Sequence, residues 1–104
     1  MRTIRIGGAG PSGLAAAINL AKSGFNVVVH EKSNDSGTRF SGDMQGIENW
    51  TTEEDALEML KAMNIAVNFD VTPFNVLHVY DSELNEKILT SERPLFYLVQ
   101  RGAV

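Results

Sequence analysis

The sequence contains no cysteine, and this absence removes several classes of chemistry at once. Disulfides, thiolate nucleophiles and zinc–thiolate sites all require cysteine, so none of them can contribute here. A chain without disulfides suits a reducing compartment, and we expect a cytoplasmic protein. The two histidines, His30 and His78, have no neighbour at metal-ligand spacing. This spacing predicts structural roles for both and no metal site.

Long apolar runs and an excess of basic residues are also missing. No run reaches the roughly 18 apolar residues that a membrane-spanning helix needs, and glycines near the N-terminus interrupt the apolar region of a secretory signal. The 9 Lys and Arg residues are scattered among 13 Asp and Glu residues. This balance argues against a nucleic-acid partner, because phosphate backbones are bound by clustered basic side chains.

Residues 3–32 have the pattern of a dinucleotide-binding βαβ unit. Ile4 and Ile6 predict a strand that leads directly into a G-x-G-x-x-G motif. A helical segment follows and ends near Gly24, and residues 27–29 predict a second strand. A glycine motif between a strand and a helix is the context that dinucleotide binding requires.

Each glycine of the motif has a mechanical task. Gly8 permits a tight turn, Gly10 leaves room for a pyrophosphate, and Gly13 allows the helix to lie close to the strand. Pro11 suits the first helical turn, where its missing N–H loses no partner. The free N–H groups and the positive dipole end of this helix then favour a diphosphate. Glu31 ends the second strand, where its carboxylate can accept hydrogen bonds from ribose hydroxyls.

The extended pattern resembles a known family of flavoproteins. G-x-G-x-x-G-x-x-x-A, followed by G-x-x-V-x-V-x-E-K ending at Lys32, is similar to the FAD-binding opening of flavoprotein oxidoreductases, especially the p-hydroxybenzoate hydroxylase and geranylgeranyl reductase group. Residues 39–50 and 95–102 resemble two further stretches of that group. The resemblance implies that Arg39 and Arg101 lie near the cofactor, where a guanidinium can pair with flavin or diphosphate oxygens.

The resemblance implies an FAD-dependent oxidoreductase, of which this chain would be the N-terminal, FAD-binding part and inactive alone. NAD(P)H would be the reductant, and the enzyme would reduce an isoprenoid double bond, with peripheral contact to a lipid substrate, or hydroxylate an aromatic substrate. The chain lacks a cysteine that many members carry, and Gly42-Asp43 comes too early to be their second flavin motif. No catalytic residue is assigned. The predicted FAD-binding residues are Gly8, Ala9, Gly10, Pro11, Ser12, Gly13, Glu31, Lys32, Arg39 and Arg101.

Two alternatives stay open. An NAD-dependent dehydrogenase is less favoured, because Ala17, Gly24 and Glu31-Lys32 follow the flavoprotein pattern. A non-enzymatic module that binds an adenine dinucleotide would keep the βαβ unit without catalysis.

The fold class predicted from these patterns is α/β. A Rossmann-like βαβ unit and its following loop occupy residues 1–50, and residues 51–104 continue as a helix and short antiparallel strands that begin a substrate domain, so the domain is incomplete.

Within the second segment, a capping box of Thr51 and Glu54 predicts a helix to about Met63, with one buried stripe formed by Ala56, Leu57, Leu60 and Met63. Strands are predicted at 74–80, 87–90 and 95–100, the first two as a hairpin. Residues 33–50 are predicted as loop, with the Asp43 and Glu48 charges solvated and Trp50 as an anchor.

Overall fold

The computed structural model of the chain describes residues 2–37 and 41–102. Over these residues the elements in chain order are β1 (Thr3–Gly7), α1 (Pro11–Lys22), β2 (Asn26–His30), β3 (Met44–Glu48), α2 (Ala56–Ala62), β4 (Thr72–Phe74), β5 (Val76–Tyr80), β6 (Glu86–Thr90) and β7 (Phe96–Gln100).

The first three elements form the predicted βαβ unit. β1 and β2 pair in parallel, with Thr3 opposite Asn26 and Gly7 opposite His30. Helix α1 packs against both strands and ends at Lys22, and Gly24, two residues later, has a φ of 94°, which favours glycine. The Gly24 N–H donates to the Ala21 carbonyl at 3.1 Å, which satisfies one of the last carbonyls of the helix. The strand, helix and strand predicted from sequence are therefore confirmed.

A second sheet contains a strand that the sequence analysis placed in a loop. Strands β3, β7 and β4 are antiparallel neighbours in that order, so β7 lies in the centre. The predicted loop at 33–50 is wrong for residues 44–48, because pairing with β7 extends the chain in spite of Gly46. Gly46 lies opposite Leu98 in this ladder. Local glycine content predicted a break, and a long-range pairing overrode it.

Helix α2 is shorter than predicted. Its N-cap is Asp55, whose carboxylate accepts the Leu57 N–H at 3.1 Å. The Thr51 hydroxyl instead donates to the Glu48 carboxylate at 2.9 Å, so the predicted capping box does not form. The predicted buried stripe is also wrong, because Ala56, Leu57 and Leu60 are only half-buried and Met63 lies beyond the helix and is 41% exposed.

The strand predicted at 74–80 divides into two. Phe74 pairs with Phe96 in the second sheet, whereas Val76 begins β5, which forms an antiparallel hairpin with β6. Asn75 separates the strands, and its side-chain amide donates to the carbonyls of Ser91 and Glu92 at 3.1 and 3.0 Å. The hairpin predicted from strands at 74–80 and 87–90 is confirmed for residues 76–90.

Burial is concentrated in one polar cluster, which we define as the Asn49 cluster: Asn49, Asp55, Arg93 and Tyr97. Asn49 and Tyr97 are 3% and 7% exposed. The Asn49 amide donates to Asp55 at 3.0 Å, and the Tyr97 hydroxyl donates to the same carboxylate oxygen at 2.5 Å. The Arg93 guanidinium donates to the carbonyls of Glu53, Asn49 and Thr52. This cluster fixes the turn between β3 and α2 onto β7.

Elsewhere the described residues do not enclose an apolar core. Trp50, predicted as an anchor, is 57% exposed. The radius of gyration is 17.5 Å, against about 13 Å for a compact domain of this length. This exposure agrees with the incomplete domain expected from the sequence.

We expect the Asn49 cluster to weaken at alkaline pH. Burial and the hydrogen bond to Asp55 raise the pKa of Tyr97 to about 12, whereas an unfolded tyrosine has a pKa of about 10. Between these values the unfolded chain loses a proton that the folded chain keeps, so stability falls as pH rises. Ultraviolet titration of tyrosinate should show a step near pH 12 that Tyr97→Phe removes and Tyr80→Phe retains. A step that survives Tyr97→Phe would contradict this assignment.

Candidate functional site

The loop between β1 and α1 presents backbone N–H groups at the start of a helix. Gly10 is the N-cap and Pro11 the first helical residue, and no side chain caps the helix. The first turn also carries no acidic residue. Among the residues that the structure describes, the amides of the first turn of α1 therefore have no side-chain cap and no acidic neighbour in that turn, which leaves them able to bind a diphosphate.

Two glycines of the motif determine how the turn packs. Gly8 has φ of 104°, a conformation that L side chains rarely adopt. A Cβ on Gly13 would lie 2.1 Å from the Gly8 carbonyl oxygen, so the helix can approach β1 only with glycine there. Gly10 differs, because a Cβ built on it meets nothing within 4 Å. The space beside Gly10 is open in the protein and can receive a ligand.

Glu31 joins the loop after β1 to the loop after β2. The Ala9 N–H donates to Glu31 Oε1 at 2.9 Å, and the Ser33 N–H donates to Glu31 Oε2 at 2.7 Å. These two backbone hydrogen bonds, that from Ala9 most of all, hold the pKa of the exposed Glu31 carboxyl below its usual value. The carboxylate is therefore ionised at neutral pH while it faces solvent.

These two loops enclose a cavity of about 310 Å³ beside the N-terminus of α1. This volume is at the lower end of the range for small-molecule sites. We name it the polar cavity. Its lining residues are Ala9, Gly10, Pro11, Glu31, Lys32, Ser33, Asp35, Ser36, Gly37 and Arg101.

The structure thus brings six of the ten predicted site residues to one cavity. Gly8 and Gly13 shape the turn beside it, and Ser12 is an exposed residue of the first turn of α1. Arg39 lies outside the described residues.

Arg101 reaches the polar cavity from the end of β7. Its backbone is held on both sides, since its carbonyl accepts the Gly42 N–H at 2.7 Å and its N–H donates to the Asp43 carbonyl at 2.8 Å. These bonds continue the β3–β7 ladder by one step. The loop that contains Gly42-Asp43 therefore positions Arg101 and the second sheet at the edge of the cavity.

A larger apolar crevice adjoins the polar cavity. It has a volume of about 570 Å³ and lies between α1, α2 and the β3–β7 face. Leu14 and Ile18 line it from α1, and Ile47 and Val99 line it from the sheet. Pro11, Gly37 and Arg101 line both spaces. A ligand that leaves the polar cavity past Arg101 would therefore enter an apolar environment.

The sequence analysis missed the contribution of the loop after Glu31. The polar cavity is lined by four residues that were predicted only as part of the loop at 33–50, namely Ser33, Asp35, Ser36 and Gly37. A signal was present, because short polar residues and glycine directly after Glu31, the predicted ribose-binding residue, are typical of a turn that exposes backbone N–H groups. Periodicity contains no information about such a loop, since it has neither helical nor strand spacing.

Each of the two histidines lies beside one charged side chain. His30 Nε2 is 3.2 Å from the Arg5 guanidinium, and His78 Nδ1 is 3.2 Å from the Glu86 carboxylate. Among the residues that the structure describes, no group of three His, Asp or Glu side chains could hold a metal ion. Within the same residues, no helix is long and apolar enough to cross a membrane.

Residues 6–59 match the model of a protein family described as the NAD(P)-binding Rossmann-like domain. The chain belongs to this family. The match covers more than half of the 104 residues and contains the glycine motif, Glu31 and the loop after it. No curated protein and no solved structure matches the chain.

Membership in the NAD(P)-binding Rossmann-like family confirms the α/β fold and the dinucleotide type of cofactor. Domains of this kind are typical of oxidoreductases, in which the cofactor supplies the redox chemistry and the protein supplies binding and orientation. The polar cavity lies where such a domain binds a dinucleotide, outside the carboxyl ends of β1 and β2.

Proposed function

We propose that the protein is the FAD-binding part of an FAD-dependent oxidoreductase of the geranylgeranyl reductase and p-hydroxybenzoate hydroxylase type. The observation that carries this proposal is the position of Arg101, which lines both the polar cavity and the apolar crevice. FAD has the same division, because a charged adenosine diphosphate is joined to a largely apolar ring. When bound, the flavin would supply the electron transfer, and this chain would supply the binding site.

The residues of the polar cavity fit an adenosine diphosphate. The open space beside Gly10 would receive the pyrophosphate next to the uncapped N-terminus of α1. Glu31 would accept hydrogen bonds from the ribose hydroxyls, and Lys32 and Arg101 would add positive charge near the phosphates. The proposal also draws on the resemblance of residues 39–50 and 95–102 to the flavoprotein group.

The NAD-dependent alternative has one specific observation in its favour, which is the NAD(P)-binding description of the family. NAD also contains an adenosine diphosphate, so the polar cavity suits both cofactors equally. The apolar crevice favours FAD because the isoalloxazine ring is larger and less polar than nicotinamide.

The FAD and NAD proposals can be distinguished by expressing the protein from its full natural reading frame and identifying the cofactor that it retains. We expect yellow protein whose released cofactor has the absorbance spectrum and mass of FAD. Colourless protein that binds NAD and cannot be reconstituted with FAD would favour the dehydrogenase.

Titrations of the 104-residue chain itself test the binding site alone. ADP should bind with a Kd of micromolar or weaker, or about −8 kcal/mol at best, and FAD should bind more tightly than ADP because its ring would contact the apolar crevice. If FAD bound no more tightly than ADP, the division of the cofactor proposed here would be wrong. Failure of both to bind would overturn the proposed function.

A further inference from the structure

Glu31 makes two hydrogen bonds that have no part in holding a ribose. Its two carboxylate oxygens accept the backbone N–H groups of Ala9 and Ser33, one from each loop of the polar cavity. Ala9 precedes Gly10, the N-cap beside which the pyrophosphate space lies. The carboxylate therefore holds the residue directly before the N-cap of α1.

A second bond fixes the same loop to the same strand end. The Gly8 N–H donates to the His30 carbonyl at 2.7 Å. Two consecutive amides, those of Gly8 and Ala9, thus bind two consecutive residues, His30 and Glu31. The first bond uses a backbone acceptor that any residue supplies. The second depends on a side chain, so mutation can remove it without altering the strand.

We propose that Glu31 is a positioning residue for the diphosphate: its carboxylate holds the loop of residues 8–10 in the conformation that binds phosphate, in addition to its contact with ribose. This inference rests on the proposed function for the identity of the ligand. Each carboxylate oxygen has two lone pairs, so both can accept a ribose hydroxyl while they keep their backbone donors. Ribose and diphosphate recognition are then coupled through one side chain.

The opposite expectation follows from charge alone. A carboxylate near a diphosphate repels it, so removal of the Glu31 charge should strengthen binding of any ligand that does not use the ribose contact. If Glu31 positions the loop, the same substitution should weaken binding of that ligand. Charge repulsion and loop positioning therefore predict opposite changes in affinity when Glu31 is replaced. A single ligand without ribose hydroxyls distinguishes them.

The ligand is 2′,3′-dideoxy-ADP, which keeps the diphosphate and lacks both ribose hydroxyls. Calorimetric titration with ADP and dideoxy-ADP should show that Glu31→Ala lowers the affinity of the chain for both ligands by about tenfold or more. Asp35→Asn removes a negative charge from the same cavity, and the Asp35 carboxylate accepts the Ser36 N–H within its own loop. This variant should strengthen dideoxy-ADP binding.

Unchanged or stronger dideoxy-ADP binding by Glu31→Ala, with ADP binding weakened, would overturn the positioning role and leave the proposed function intact. Absence of ADP binding by the unaltered chain would overturn the proposed function. In that case the loop is still tested without ligand, by amide hydrogen exchange.

Exchange at Ala9 and Ser33 should accelerate about tenfold or more in Glu31→Ala, with exchange at Val28 unchanged as a control for folding of the β1–β2 pair. Equal exchange at Ala9 in both proteins would overturn the inference. If Glu31→Ala does not fold, Glu31→Gln keeps the side-chain length and one acceptor oxygen. In Glu31→Gln, hydrogen exchange should accelerate at one of the Ala9 and Ser33 amides and stay slow at the other. Slow exchange at both amides would contradict the role of the charged carboxylate.

Discussion

Gly10→Val is expected to lower the affinity for ADP by more than about a hundredfold, or about 2.8 kcal/mol, with the fold unchanged. Gly10 has φ of −79° and extended ψ, which other residues adopt readily, and a Cβ there meets nothing within 4 Å. The protein thus tolerates the side chain, but the branched group occupies the space proposed for the pyrophosphate. Calorimetric titration measures the affinity, and circular dichroism checks the fold.

Gly10→Ala is the matched control for the size of the side chain. Its single methyl group should cost less affinity than valine, so the two variants should form a graded series. Equal ADP affinity in the valine variant and the unaltered chain would mean that the diphosphate binds elsewhere.

Gly13→Ala is expected to disrupt the βαβ unit itself. The added Cβ would lie 2.1 Å from the Gly8 carbonyl oxygen and 3.4 Å from Ile6 Cγ2, and the nearer of these is backbone. Alanine is favoured over glycine in a helix by about 1 kcal/mol, but overpacking of this kind costs about 3 kcal/mol. The net effect is therefore destabilising. Amide hydrogen exchange should show reduced protection across β1, β2 and α1.

Gly7→Ala is the control for loss of a glycine in the same segment. Gly7 is paired in β1, and a Cβ built on it meets nothing within 4 Å. Protection of the β1–β2 amides should therefore be retained. If the β1–β2 amides were as well protected from hydrogen exchange in Gly13→Ala as in Gly7→Ala, the close approach of α1 to β1 would not depend on residue 13.

The sequence predicted the βαβ unit because its determinants are local. The Ile4 and Ile6 alternation, the glycine motif and the Gly24 cap each lie within the element that they specify. The same holds for the hairpin, in which a polar turn at 81–85 joins two strands adjacent in sequence. Five of the six predicted residues that line the polar cavity lie within the βαβ unit, whose motif fixes their spacing relative to one another, whereas Arg101 was predicted only from the resemblance of residues 95–102.

Features that depend on distant pairing could not be predicted. Strand β3 exists because β7, about 50 residues away, pairs with it. The start of α2 is set by Asp55, which also accepts hydrogen bonds from Asn49 and Tyr97, so a local capping box at Thr51 lost to a tertiary cluster. Nothing in the spacing of Asn49 and Arg93 indicates that they meet.

The arrangement of strands has a consequence for cooperativity. The described residues form three sheets, β1–β2, β3–β7–β4 and β5–β6, and these sheets share no strand. A single all-or-none transition requires that loss of one element remove the support of the others, which a common core normally ensures. Here each sheet has its own hydrogen-bond ladder, so we expect the three sheets to open with different free energies. A substitution should therefore change the opening free energy of the sheet or loop in which it lies.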